Sequence, residues 1–266
     1  MEMYFCPLYS GSSGNALFCQ YGHTRLLIDA GKPGKTISDA LSRIGVAMET
    51  ISGVLITHEH SDHIAGAGVL ARKYHMPLYA TRGTWEGIGD KIGRVDPELR
   101  LEIAAGQDFY LGDIGVEPFS IPHDAADPVG FRVWYGAHSA ATATDMGCAR
   151  KSVIKALAGV DVMVLESNHD PDLLRMNPHY SLYLKQRILS NRGHLSNQAS
   201  ADVLLQLMES GVREVLLGHL SSENNTPELA MRTHEDTLVR QGVKIGTDID
   251  LGIAWRDRVS RKFEIE

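Results

Sequence analysis

The chain has 266 residues, with 26 lysines and arginines against 33 aspartates and glutamates, for a formal net charge of -7. A chain of this size buries about three quarters of its unfolded surface, so it needs no disulfide or structural metal to fold. The acidic balance excludes a protein that coats nucleic acid by bulk charge, so an anionic partner has to be recognised at a local site. Cys6, Cys19 and Cys148 are odd in number and widely spaced. They give neither a disulfide framework nor a thiolate zinc knuckle. Met1-Glu2-Met3-Tyr4 lacks the basic flank of a signal peptide, and no apolar run reaches the length of about 18 residues that spans a bilayer. The expectation is a cytoplasmic protein with no membrane partner.

Strand-like runs at Tyr4 to Tyr9, Ala16 to Cys19 and Thr24 to Ile28 open the chain as a meander. A helical pattern follows over Thr36 to Ile44, then a buried strand at Val54 to Thr57, a helix from about Ile64 to Tyr74 and a strand at Pro77 to Ala80. Leu101 to Thr144 is rich in β-branched and aromatic residues broken by turn formers, the pattern of several antiparallel strands. The last third alternates: helices at Lys151 to Leu157, Tyr180 to Leu189, Gln198 to Glu209 and Pro227 to Arg240, with strands at Val162 to Leu165, Val215 to Leu217 and from Val243 onward. No linker divides the pattern. One α/β domain over residues 1–266 is expected, with two packed sheets and helices outside.

Six strand-like runs end in an ionisable group: Asp29, His58, His123, Asp145, Glu166 and His219. Loops beyond the carboxyl ends of strands converge side chains on a point while the sheet holds them rigid. The densest group is His58-Glu59-His60-Ser61-Asp62-His63. Residues two apart in an extended segment face one side, so His58 and His60 can reach one metal while the turn into the next helix aims Asp62 and His63 at a second. Imidazole and carboxylate donors suit zinc, iron or manganese.

This segment, with Asp29 upstream and His123, Asp145 and His219 downstream, resembles the five-motif signature of the metallo-β-lactamase superfamily, in order and over almost the whole chain. The resemblance implies a four-layer αββα sandwich with two divalent metal ions at one edge, zinc first and manganese as the alternative. It further implies that His58, His60 and His123 hold one ion, that Asp62, His63 and His219 hold the other, and that Asp145 bridges them. Asp29 then orients a ligand without touching metal. Aspartate at 145, where many lactamases carry cysteine, argues against antibiotic hydrolysis, and Cys148 reads as buried packing.

Ser10-Gly11-Ser12-Ser13-Gly14-Asn15-Ala16, Glu166-Ser167-Asn168-His169-Asp170, Gly193-His194-Leu195-Ser196-Asn197 and Gly218-His219-Leu220-Ser221 narrow the resemblance to the YycJ/VicX (WalJ)-like phosphohydrolase branch. That branch implies a metal-dependent phosphodiesterase, with 5′-to-3′ exonuclease action on DNA as the leading assignment and hydroxide held between the metals as the nucleophile. Glu166 would pair with His194, which protonates the leaving oxygen, while Asp62 steers the nucleophile's proton. Ser12, Ser13, Asn15 and His169 are the candidate substrate contacts; the turn they begin could equally be an ordinary hairpin turn. Arg150, Lys151, Lys185, Arg187 and Arg192 read as ordinary helix decoration, and His23, His75, His138, His179 and His234 as surface or capping residues. Two other readings stay open: a thioesterase or lactonase of the glyoxalase II type, and a metal-binding regulatory module without catalysis.

Overall fold

The computed structural model describes residues 2–265. Its first sheet has seven strands in the order β14-β1-β2-β3-β4-β5-β6: β1 Met3–Tyr9, β2 Ala16–Tyr21, β3 Thr24–Ile28, β4 Gly53–Leu55, β5 Leu78–Thr81, β6 Arg100–Ile103 and β14 Phe263–Ile265. The second, also of seven, runs β13-β12-β11-β10-β9-β8-β7: β7 Phe109–Leu111, β8 Ile114–Ser120, β9 Val129–Tyr135, β10 His138–Ala143, β11 Val162–Glu166, β12 Glu214–Gly218 and β13 Asp250–Ile253. Each sheet is antiparallel on one side and parallel on the other. Strands β3 to β6 pair in parallel in the first, and β10 to β13 do so in the second.

Three apolar clusters fill the gaps between four layers. The middle one packs Phe5, Leu26 and Ile28 of the first sheet against Val116, Phe131 and Val164 of the second, all fully buried. Outside the first sheet lie α1 Gly34–Arg43, α2 Ser61–Ile64, α3 Ala67–Tyr74 and α4 Arg82–Ile88. Outside the second lie α5 Lys151–Leu157, α8 Asn197–Glu209 and α9 Pro227–Arg240. Helices α6 Pro171–Met176 and α7 Leu182–Ile188 flank the loop region between them. The expected αββα sandwich is the fold observed.

Several expectations need correction. The helix expected from Ile64 to Tyr74 is broken at Ala65 and Gly66, whose backbone N–H donates to Ala30 O at 2.7 Å. A Cβ at Gly66 would come within 2.3 Å of Lys32 O, so the chain there is pressed against the loop after β3. Strand β6 is parallel to β5 and belongs to the first sheet, so the region from Leu101 is not wholly antiparallel. Helices α4 and α6 were not expected: Gly83 and Gly87 lower the propensity of the first, and the second is only six residues long.

Candidate metal centre

The carboxyl ends of the parallel strands from both sheets meet at one edge, and the reactive side chains sit there. Asp29 directly follows β3, His58 lies three residues beyond β4, Asp145 two beyond β10, Glu166 ends β11 and His219 directly follows β12. Asp29, Asp145 and His219 have φ of 63°, 59° and 53°, a left-handed backbone that costs a non-glycine residue about 1–2 kcal/mol. The fold pays that cost three times at one edge, and each time the result is a strand end turned sharply enough to aim its side chain inward.

Three imidazoles form the first cluster. His58 Nε2 stands 3.1 Å and His123 Nε2 3.3 Å from His60 Nδ1. Two nitrogens bound to one tetrahedral zinc at about 2.0–2.1 Å stand about 3.3 Å apart, so this spacing suits a shared ion. Burial, then repulsion from His63, holds His58 well below an ordinary imidazole, which keeps it neutral and fit to ligate. Asp62, His63 and His219 form a second cluster, with Asp62 Oδ2 3.5 Å from His63 Nε2 and 3.6 Å from His219 Nε2. Asp145 lies between the two, its Oδ1 3.8 Å from His123 Nε2 and its Oδ2 3.3 Å from His63 Nε2. Asp145 Oδ2 and His219 Nε2 are buried without a hydrogen-bond partner, the mark of donor atoms built for a cation.

The electrostatics agree. Burial lowers the imidazole of His63, but the carboxylates of Asp29, Asp145 and Asp62 outweigh it and hold the group well above its ordinary value. For His219, burial is likewise overcome by Asp145, Asp62 and Glu166, which lift it to about 10. These carboxylates favour positive charge where a cation would sit.

Around the donors lies a shell that fixes each ring. Asp29 Oδ2 accepts from His63 Nδ1 at 2.7 Å, and its Oδ1 accepts from Thr57 N at 2.8 Å. Asp29 therefore turns His63 Nε2 toward the cluster. Glu166 is wholly buried and takes four donors: His194 Nδ1 at 2.8 Å and His219 Nδ1 at 2.9 Å on Oε1, and the N–H groups of Met146 and Leu195 at 2.9 and 3.1 Å on Oε2. Burial raises this carboxyl, and His194 and His219 more than reverse that, taking it to about 2. Its lone pairs are committed, so its closeness to Asp145, His194 and His219 reflects hydrogen bonding and not a third ion site. The pairing with His194 was legible in sequence; the equal bond to His219 was not.

His194 opens into a cavity that Ser12, Asn168, Tyr180, Arg187 and His219 also line. Burial pulls His194 down, while Glu166 and Asp145 outweigh it and raise the imidazole above its ordinary value. Two candidate substrate contacts are placed elsewhere. Asn15 is buried, its Oδ1 accepting from Gly11 N at 2.8 Å and its Nδ2 lying 3.0 Å from His63 Nε2, so it clasps the turn to the cluster. His169 is 1% exposed, is not among the cavity-lining residues, and burial drives it down to about 4. Ser12 and Ser13 are exposed.

Sequence reading missed Thr57, whose hydroxyl reaches Asp29 Oδ2 at 2.9 Å and His58 Nδ1 at 3.0 Å, and Glu59, whose Oε1 accepts from Ala126 N at 2.9 Å. Both stand inside the histidine segment, which was the available signal. Arg187 pairs with Asp124, and Arg192 Nε donates to His123 O at 3.0 Å. These two brace the His123 loop and are more than helix decoration. Cys148 is half-buried rather than buried, and His234, expected as a surface or capping residue, is fully buried within α9.

A four-layer sandwich carrying paired histidine and aspartate clusters at the edge where its parallel strands end is a metallo-β-lactamase fold able to hold divalent metal ions. A family profile described as Beta-lactamase superfamily domain matches residues 24–220, and the chain belongs to that family. It is 40% identical over 243 residues to "Exodeoxyribonuclease WalJ" of Streptococcus pneumoniae, covering 91% of this chain and 90% of that one. It is 36% identical over 251 residues to "Exodeoxyribonuclease YycJ" of Bacillus anthracis, covering 94% and 95%. The crystal structure of the metallo-β-lactamase fold protein YhfI from Bacillus subtilis matches with a TM-score of 0.72 at 17% identity, covering 99% of this chain and 100% of that one. No helix among the described residues is long and apolar enough to cross a membrane.

Proposed function

We propose that this protein is a metal-dependent exodeoxyribonuclease that hydrolyses phosphodiester bonds from 5′ ends, acting as one domain in the cytoplasm. The observation that carries it is the Glu166–His194 pair at 2.8 Å on the wall of the cavity beside the ligand clusters. The names of the two relatives, similar over nearly their full lengths, support the same reading. His58, His60 and His123 would hold one ion and Asp62, His63 and His219 the other, with Asp145 shared. We propose zinc in both, since five of the seven ligands are imidazoles; the two carboxylates admit manganese. When bound, such ions lower the pKa of a coordinated water toward neutrality and polarise phosphoryl oxygens.

The chain's own groups do the rest. Asp62 is held low as a base by His63 and His219 even though burial opposes them, so it orients the attacking water by accepting a hydrogen bond. His194 commits Nδ1–H to Glu166 and keeps Nε2 for the cavity. Its raised pKa favours the protonated ring, which can give the Nε2 proton to the departing alkoxide. A thiolate leaving group needs no such proton, so the pair has no use in a thioesterase. The test is digestion of 5′-labelled duplex DNA, single-stranded DNA and RNA with zinc and with manganese. Stepwise release from 5′ ends of DNA is expected; random internal products would refute the exonuclease mode, and no cleavage of any polymer would refute the nuclease.

A further inference from the structure

The turn between β1 and β2 gathers two cations that the hydrolytic chemistry does not use. Lys32 Nζ donates to Ser13 Oγ at 3.0 Å, and its stem crosses Gly14, where a Cβ would come within 2.7 Å of Lys32 Cδ. Arg256, from the segment between β13 and β14, lies against Gly11, where a Cβ would come within 3.1 Å of its own Cβ. Its Nη2 donates to Leu220 O at 2.9 Å. Both cations are half-buried. Among the described residues, arginine makes five ion pairs with carboxylates, none of them through Arg256, and no lysine makes one.

An acidic chain that sets two cations without carboxylate ion pairs along one turn has built an electrostatic liability. Burial and then Arg256 pull the Lys32 ammonium below its ordinary value. Asp257 offsets this only in part. An anion would remove the liability, and the surrounding groups match a phosphate: a guanidinium fork, an ammonium and two exposed serine hydroxyls. The turn also leads directly into the site. Ser12 lines the cavity with His194 and His219, Ser10 Oγ accepts from His219 N at 2.9 Å, and Asn15 N donates to Asp62 O at 2.8 Å.

We propose that Lys32 and Arg256, with the hydroxyls of Ser12 and Ser13, bind a nucleic-acid phosphate next to the one being hydrolysed. The proposal rests on the nuclease reading above and adds to it the groups that grip the strand beside the scissile bond. Its source is either a 5′-terminal phosphate or an internal one.

The experiment pairs Lys32→Met/Arg256→Met with Lys32→Arg. The holoenzymes are assayed on bis(p-nitrophenyl) phosphate and on duplex DNA with 5′-phosphate or 5′-hydroxyl ends. The metal-free proteins are titrated with the same DNA by fluorescence anisotropy over a range of salt. The double variant should raise KM for DNA about tenfold or more, far beyond any change with the small diester, and should flatten the salt dependence of log Kd by about one unit per cation lost. Lys32→Arg should recover most of the loss. A loss confined to 5′-phosphorylated DNA assigns the site to the terminal phosphate, and an equal loss on both assigns it to an internal one. Unchanged KM and salt slope in the double variant would overturn the proposal, as would wild-type protein that binds no DNA. If the wild type hydrolyses neither substrate, the nuclease reading fails, and the anisotropy series still decides the phosphate site.

Discussion

The two sheets supply the candidate metal centre in opposite ways. The first delivers His58, His60, Asp62 and His63 from one loop and the short helix after it, so that four donors are fixed by about one and a half turns of local backbone. The second delivers His123, Asp145 and His219 from three separate strand ends, each needing its own loop conformation, two of them left-handed. A local chelate survives small errors in packing because its donors move together. A distributed one is held only by what ties its loops: Arg187 and Arg192 brace the His123 loop, and Glu166 joins the His219 ring, the His194 ring and the backbone at Met146 and Leu195. The asymmetry predicts that damage to the supports of the second sheet spreads, while damage to those of the first stays local.

The sharpest break should come from Glu166→Gln, which sets an amide N–H₂ against groups that all donate. Turnover on DNA should fall by about 10³-fold or more, combining a lost proton donor with a misplaced ligand. Metal affinity of the second cluster should fall about 10–100-fold. Metal analysis by mass spectrometry after dialysis, run beside the kinetics, checks both; full metal content with normal turnover would remove Glu166 from the scheme. His194→Ala touches only one arm of that tie. Turnover should drop about 10²-fold with both ions retained, and the loss should be smaller on a diester whose phenolate leaves without a proton. Equal losses on DNA and on the phenolate ester would refute the role of proton donor.

On the first sheet, Asp29→Asn is the matching test, since asparagine tolerates the left-handed backbone at this position. It weakens the bond that orients His63 and should cost about 10-fold in affinity for the second ion, near the lower end for supporting groups. Isothermal titration of the metal-free protein measures it. A loss extending to the His58, His60 and His123 cluster would contradict the local character of this half.

The same asymmetry decides what the sequence could reveal. Donors on one short segment are legible because period and spacing are local quantities. Asp29, His123, Asp145 and His219 stood out only because each follows a strand-like run and fits a family signature, while the second bond of Glu166 depends on the pairing of β11 and β12 that brings His219 beside it. The parallel direction of β6 and the inward turn of Asn15 are likewise set by contacts remote in sequence. Helices α4 and α6 were missed for the reverse reason: glycine content and short length erase the local signal, and tertiary packing supplies the stability.

Histidine count alone does not mark the site, and His234 shows why. It lies in α9 with 0% exposure, its Nδ1–H donating to Ala230 O at 2.9 Å and its Nε2 accepting from Ser200 of α8 at 3.0 Å. Both nitrogens are used by the neutral ring, and burial lowers the group from 6.5 to about 4. Between those values the unfolded chain binds a proton that the folded chain refuses, so this contribution to stability is whole above the unfolded pKa and falls as pH drops through the window. The expected loss between pH 7.5 and 5.5 is roughly 1 kcal/mol. Urea unfolding at the two pH values should show that increment in the wild type and not in His234→Asn, with metal content the same in both proteins, because no metal donor touches this ring. If the two proteins lose stability in parallel on acidification, the buried ring is not the group that titrates, and the acid sensitivity of the second half belongs to the metal edge.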